Sequence, residues 1–249
     1  MTRWAVRRHR RRHPVASLYC FPHAGGSPGE YLRWSDDLPE LQVWGVHLPG
    51  RTTRTAEPPF TRMEPLADAI VSAVPFAEPT VLFGHSLGAL IAFEVARRLR
   101  ERGGPQPAHL VVSSCPAPPL PPVRRPLHTL PDDELLAEVE RRSGEPLGHI
   151  RADPGLRAHA LACYRADFAV LETYRFRPGD PLDCPITVLA GTDEPWTPRA
   201  GDWAAHTRGP AGLRLVPGGH FHFRHSRAET LRALRETVLT KKGELRWTG

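Results

Sequence analysis

TVLFGHSLGALIAFEVARRLRERGG, residues 80–104, is the stretch that decides the fold. Its opening, TVLFGHS (80–86), is a short apolar run of the kind found in strands covered on both faces. The remainder, LGALIAFEVARRLRERGG (87–104), sets Leu87, Leu90, Ile91, Val95 and Leu99 on one helical face, and Gly103-Gly104 stops the helix. The junction GHSLG (84–88) therefore matches GxSxG between a strand and a helix, the setting a nucleophile elbow requires. Gly84 and Gly88 lack Cβ atoms, so the turn can pack while Ser86 projects its hydroxyl. Ser86 then stands at a helix N-terminus, where the dipole favours developing negative charge. A tight turn without chemistry would also use glycines, but the flanking strand and helix favour catalysis.

Outward from this stretch, VASLYCF (15–21), LQVWGVHL (41–48), AHLVVSSC (108–115), PITVLAG (185–191) and GLRLVPG (212–218) read as further strands. PGEYLRWSDDL (28–38), MEPLADAIVSAV (63–74) and SRAETLRALRETVL (226–239) read as helices between or after them. PGRTTRTAEPPF (49–60) has no periodicity and reads as a loop. This alternation predicts an α/β protein with a mostly parallel sheet flanked by helices. Residues 116–180 break the rhythm. A proline-rich connector, PAPPLPPVRRP, leads into two helical stretches, 131–142 and 153–174, with no strand signal between them. A helical insertion of this length reads as a lid over the site rather than a plain structural subdomain.

A serine nucleophile needs a base and an orienting acid. His220, in PGGHFHF (217–223), lies after the last strand and before the last helix, behind two glycines that let an imidazole swing back. The neighbouring His222 and His225 are expected on the surface. VLAGTDEPW (188–196) offers Asp193 and Glu194 at a strand end. The order Ser, acid, His is that of the α/β-hydrolase fold, and all three motifs end strands, so they share the sheet edge where open α/β folds bind ligands. An oxyanion hole needs two N–H donors. Leu87 follows the nucleophile. FPHAGG (21–26) follows the first strand, where Gly25-Gly26 permit close backbone approach, and the Ala24 N–H is the candidate second donor.

The chain of 249 residues is 40% hydrophobic and 24% charged, with no run of 18 apolar residues, so a soluble globular protein without membrane spans is expected. Its four cysteines form no CxxC pair, which indicates neither a metal site nor a redox motif, and reduced thiols suit a cytosolic protein. The net charge of +6 comes from residues 1–13, which hold six arginines and no carboxylate; the rest carries 27 basic and 27 acidic residues. The basicity thus belongs to an arm, expected to be disordered over 1–14, and a neutral body argues against nucleic-acid binding. The domain is expected at 15–240, with a C-terminal tail at 241–249. No cofactor is called for, and a monomer is the default.

FPHAGG, LPGR (48–51), EPPF (57–60), LFGHSLGALIAFEVARRL (82–99), LHTLPDDELL (127–136), YRFRPGDPLDCPITVLAG (174–191) and PGGHF (217–221) together resemble the type II thioesterases of polyketide and nonribosomal peptide pathways, across about residues 17–240. The resemblance implies an α/β-hydrolase fold with a helical lid. It also implies hydrolysis of acyl groups from the phosphopantetheine arm of carrier proteins, often to clear stalled units. It sets the catalytic pair on Ser86 and His220 and the oxyanion donors on Ala24 and Leu87. Two positions depart from the family pattern. The acid is usually Asp, but the aligned position counted from Gly191 is Glu194, one residue after Asp193, which favours Glu194. An acidic residue usually follows LPGR, and here Thr52 stands there, so an ion pair made by that acid is not expected. A small-molecule esterase or lactonase on the same fold is the first alternative, and a non-catalytic acyl-binding module the second.

Overall fold

A computed structural model describes residues 2–121 and 123–239; the tail at 241–249 lies outside the described residues. One sheet holds seven strands: β1 (Ala5–Val6), β2 (Ala16–Phe21), β3 (Leu41–Val46), β4 (Thr80–His85), β5 (His109–Ser113), β6 (Ile186–Gly191) and β7 (Ala211–Val216). Their order is β1-β3-β2-β4-β5-β6-β7, and β2 to β7 pair in parallel. Every residue of β2, β4, β5 and β6 is buried, as a parallel sheet covered on both faces demands.

The helices are α1 (Gly29–Leu32), α2 (Met63–Ala73), α3 (Leu87–Glu101), α4 (Asp132–Ser143), α5 (Gly148–Ala152), α6 (Pro154–Thr173), α7 (His222–His225) and α8 (Arg227–Leu239). One core packs α2 and α3 on one face of the sheet; another packs Tyr31, Trp34, Leu231 and Leu234 on the other. The insertion between β5 and β6 carries α4, α5 and α6, and Leu127, Leu135, Leu136, Leu161 and Phe168 give it a small core of its own. The helix expected over 28–38 divides into α1 and a 3-10 turn, Arg33–Asp36. The Ser35 hydroxyl donates to the Leu32 carbonyl at 2.6 Å, a three-residue reach that suits the tighter helix.

The N-terminal arm departs from expectation. Instead of being disordered, it supplies β1, antiparallel to β3 at the sheet edge. Trp4 packs against the core between the Arg54 guanidinium, 4.2 Å from its ring, and Phe60, 6.0 Å away. Arg7 lies 4.7 Å over Trp44, the Arg11 N–H donates to Gln42, and the Gln42 side chain donates to the His9 carbonyl. Charge count alone hid this because arginines here cover aromatic faces, and because an unpaired edge of β3 gains by being covered.

Candidate active site

The elbow is built by close backbone contact. Ser86 has φ +55° and ψ −120°, between the end of β4 and the start of α3. A Cβ on Gly84 would sit 2.1 Å from the Gly88 carbonyl oxygen, and one on Gly88 would sit 2.1 Å from that of Phe21. Gly88 therefore lets α3 approach the end of β2, and that contact brings FPHAGG beside the serine. The Ser86 hydroxyl makes no cap bond to its own helix and faces a cavity of about 540 Å³. Leu87 opens α3, and a first-turn N–H has no intrahelical acceptor. Ala24 lines the same cavity, in a loop closed by a Gly26 N–H to His23 carbonyl bond of 2.9 Å, with Gly25 at φ +73°.

His220 reaches this cavity from the loop after β7. Its Nδ1 is 2.9 Å from Glu194 Oε1. An ionised carboxylate only accepts, so Nδ1 carries the proton and Nε2 is the basic nitrogen. Glu194, 6% exposed, takes three further donors: Trp196 Nε1–H at 3.0 Å on Oε1, and the Ser114 hydroxyl at 2.8 Å and the Gly191 N–H at 3.0 Å on Oε2. Burial by itself would raise the Glu194 pKa, but the bonds from His220, Trp196, Gly191 and Ser114 outweigh it and hold the group below its ordinary value. Of the two acids left by the sequence, Glu194 is the one bonded to the His220 ring. Asp193 is exposed, accepts a bond from the Thr192 hydroxyl at 2.9 Å, and has no bond to His220 among the described residues. Among the same residues, no hydrogen bond joins Ser86 to His220. Such a bond often tightens only once substrate is bound.

His222 is a correction. It is fully buried, not on the surface. Its Nε2 lies 3.1 Å from the Ser113 hydroxyl, and its Nδ1 lies 3.0 Å from that of Thr230. Ser113 is also 2.9 Å from Nδ1 of buried His85. Burial drives the His222 pKa down to about 4, and burial with the neighbouring imidazoles holds His85 well below the ordinary histidine value. Both rings are neutral spacers beneath the site; His225 is exposed as expected.

The lid forms the cavity's apolar wall with Val139, Leu147, Tyr164, Phe168 and Leu171. Arg224 lies at the rim, donating to Glu30 at 2.6 Å and to Glu145 of the lid at 2.5 Å. A second cavity of about 480 Å³, beside Phe93, Pro118, Phe176 and His206, holds no serine–histidine pair. Sequence reasoning missed Ser114, Trp196 and Asp167. The first two follow strand ends already recognised, in VVSSC and TDEPW, while Asp167 lies in a helix with no local signal. Arg51 of LPGR pairs with Asp167 of α6 at 2.7 Å. No group of three or more His, Cys, Asp or Glu suited to a metal occurs among the described residues. No described helix is long and apolar enough to cross a membrane.

Comparison with known proteins agrees with this fold. The Thioesterase domain family profile matches residues 16–238. The chain is 39% identical over 249 residues to thioesterase PikA5 of Streptomyces venezuelae, covering 96% of this chain and 87% of that protein. Its structure resembles RedJ, a thioesterase from the prodiginine biosynthetic pathway in Streptomyces coelicolor, with TM-score 0.82 and 38% identity over 91% of each chain. It also resembles BorB, the type II thioesterase from the borrelidin biosynthetic cluster, with TM-score 0.82 and 35% identity over 97% of this chain and 99% of that one. An α/β-hydrolase sheet, a helical lid and a profile match over nearly the whole sheet lead to one assignment: the chain belongs to the thioesterase family.

Proposed function

We propose that this chain hydrolyses acyl thioesters carried on the phosphopantetheine arm of a carrier protein, as an editing enzyme of polyketide or nonribosomal peptide synthesis, through an acyl-enzyme on Ser86. The observation that carries the reading is the 2.9 Å bond from His220 Nδ1–H to buried Glu194, on a ring that shares one cavity with Ser86. Names of relatives support the substrate class, since PikA5 is a thioesterase and BorB a type II thioesterase of a biosynthetic cluster.

In this mechanism His220 Nε2 takes the Ser86 proton as Oγ attacks the thioester carbonyl. The Ala24 and Leu87 N–H groups receive the negative oxygen. Collapse breaks the C–S bond, and the His220 imidazolium gives its proton to the departing sulfur, whose thiol pKa near that of cysteine, about 8.5, makes it an easy leaving group. Water, deprotonated by His220, then attacks the acyl-serine; the C–Oγ bond breaks, Ser86 takes the proton back from His220, and the acid is freed. Glu194 holds the imidazole in the Nδ1–H tautomer and stabilises the imidazolium. The apolar lid wall suits an acyl chain and limits water, which would slow wasteful turnover of correct intermediates.

Mass-spectrometric release of varied acyl groups from a loaded carrier protein, with Ser86→Ala as control, tests the reading. Release by the wild-type chain but not by Ser86→Ala is expected. A preference for p-nitrophenyl esters over acyl-pantetheine would favour a small-molecule esterase or lactonase. Failure of a fluorophosphonate to label Ser86 would favour a non-catalytic acyl-binding module.

A further inference from the structure

The oxyanion loop is held from above by the lid. Asp167 of α6 accepts the Gly25 N–H on Oδ2 at 2.7 Å. Its other oxygen takes Arg51 Nη2 at 2.7 Å, and Arg51 Nη1 donates to the Gly26 carbonyl at 2.8 Å. Both charged side chains are 5% exposed. One turn back on the same helix, the Tyr164 ring lies so close to the Gly25 Cα that a Cβ there would be 2.0 Å from the ring. The Cys163 thiol donates to the Gly50 carbonyl at 2.9 Å. Three residues of α6 therefore grip the 21–26 loop and the neighbouring loop at Gly50, and at Gly25 they do so next to Ala24, whose N–H is the proposed donor.

We infer that Asp167, braced by Arg51, is a positioning residue for the oxyanion hole, so that the seating of lid helix α6 sets the aim of the Ala24 N–H. Its carboxylate fixes the N–H one residue beyond Ala24, and Arg51 fixes the Gly26 carbonyl. A loop rich in glycine has many alternative conformations; the ion pair selects one. Because Tyr164, Phe168 and Leu171 of the same helix also line the acyl cavity, a group that displaces α6 displaces the anchor of the oxyanion loop. Fit of the acyl chain is thereby linked to catalytic geometry.

This inference rests on acyl transfer at Ser86, and its test is chosen to read out separately from the substrate class. Asp167→Asn and Arg51→Lys are compared with wild type per fluorophosphonate-titrated site, so that loss of folded protein does not count as loss of rate. The substrates are an acyl-N-acetylcysteamine thioester and a p-nitrophenyl ester. The ligand is an acyl trifluoromethyl ketone, whose adduct with serine places an oxyanion in the hole. A misaimed donor is expected to lower kcat about 10- to 100-fold for Asp167→Asn, with KM within threefold on either substrate. Trifluoromethyl ketone affinity should fall by the same factor as kcat/KM. Arg51→Lys should show the same signature at smaller size, and it decides the question if Asp167→Asn does not fold. Unchanged kcat per titrated site and unchanged ketone affinity, or a change confined to KM, would overturn the assignment. Preference for the ester over the thioester would count against the proposed function and leave this comparison intact.

Discussion

Replacing Glu194 by Gln changes one atom and sets two hydrogen-bond patterns in competition. The carboxylate accepts from four donors, two on each oxygen. The amide has only one oxygen. If that oxygen faces His220 and Trp196, the amide N–H groups confront the Gly191 N–H, which is a fixed donor. If it faces Gly191 and Ser114, the amide N–H groups confront the Trp196 N–H and the His220 ring. Either way one buried donor is stranded, at a cost of about 1–3 kcal/mol in stability. The second arrangement also moves the imidazole proton to Nε2, so that the ring cannot accept from Ser86. Both arrangements remove the negative charge that stabilises the imidazolium. Loss of such an acid costs up to about 10⁴-fold in a serine triad, so kcat/KM should fall about 10²- to 10⁴-fold, or about 3–5 kcal/mol of barrier. The assay is hydrolysis of an acyl-N-acetylcysteamine thioester per titrated site, beside Asp193→Asn, which should stay within twofold of wild type. Near-normal turnover by Glu194→Gln with loss in Asp193→Asn would refute the reasoning and move the acid to the exposed neighbour.

Gly88→Ala places a methyl 2.1 Å from the Phe21 carbonyl, a backbone atom that cannot swing away; a stability loss of more than about 3 kcal/mol, or insoluble protein, is expected in thermal melts, while Gly144→Ala, with open space at that Cβ, serves as the comparison for a mere positive-φ cost. Trp4→Ala uncovers the aromatic packing of β1 and should lower stability by about 2–4 kcal/mol in denaturant titration; an unchanged midpoint would mean the arm is not part of the fold. Burial alone would raise the Glu30 pKa, but bonds from His23 and Arg224 pull it down from 4.5 to about 2. A carboxylate with a depressed folded-state pKa contributes stability above its unfolded pKa, and that contribution is lost as pH falls through the folded value. The wild-type denaturant midpoint should therefore fall between pH 4.5 and pH 2, and Glu30→Gln should reduce that fall; an identical pH profile in the variant would contradict the assignment.

Most of the sheet was legible from the chain because buried parallel strands need unbroken apolar runs, as in TVLFGH and ITVLAG, and because Gly84 is required by a contact with Gly88 only four residues away. Ser86 and His220 were proposed from the chain because each follows a strand at a turn with its own glycines. The arm was misjudged because its partners, Trp44, Gln42 and Arg54, lie about 30 to 50 residues downstream, where charge counting does not look. His222 was taken for a surface residue because its short helix has no apolar periodicity, yet Ser113 and Thr230 receive its ring in the core.

By itself, then, the order of residues determined the parallel sheet and marked Ser86 and His220 as candidates at strand ends, since strand burial and tight turns are largely local demands. It left two acids side by side and gave no sign that Arg51 would meet a partner 116 positions away. Tertiary structure decided those matters, because a hydrogen bond depends on where a side chain points once distant segments have packed. At Glu194 that is toward His220, Trp196, Ser114 and Gly191, and at Asp193 it is toward Thr192 at the surface.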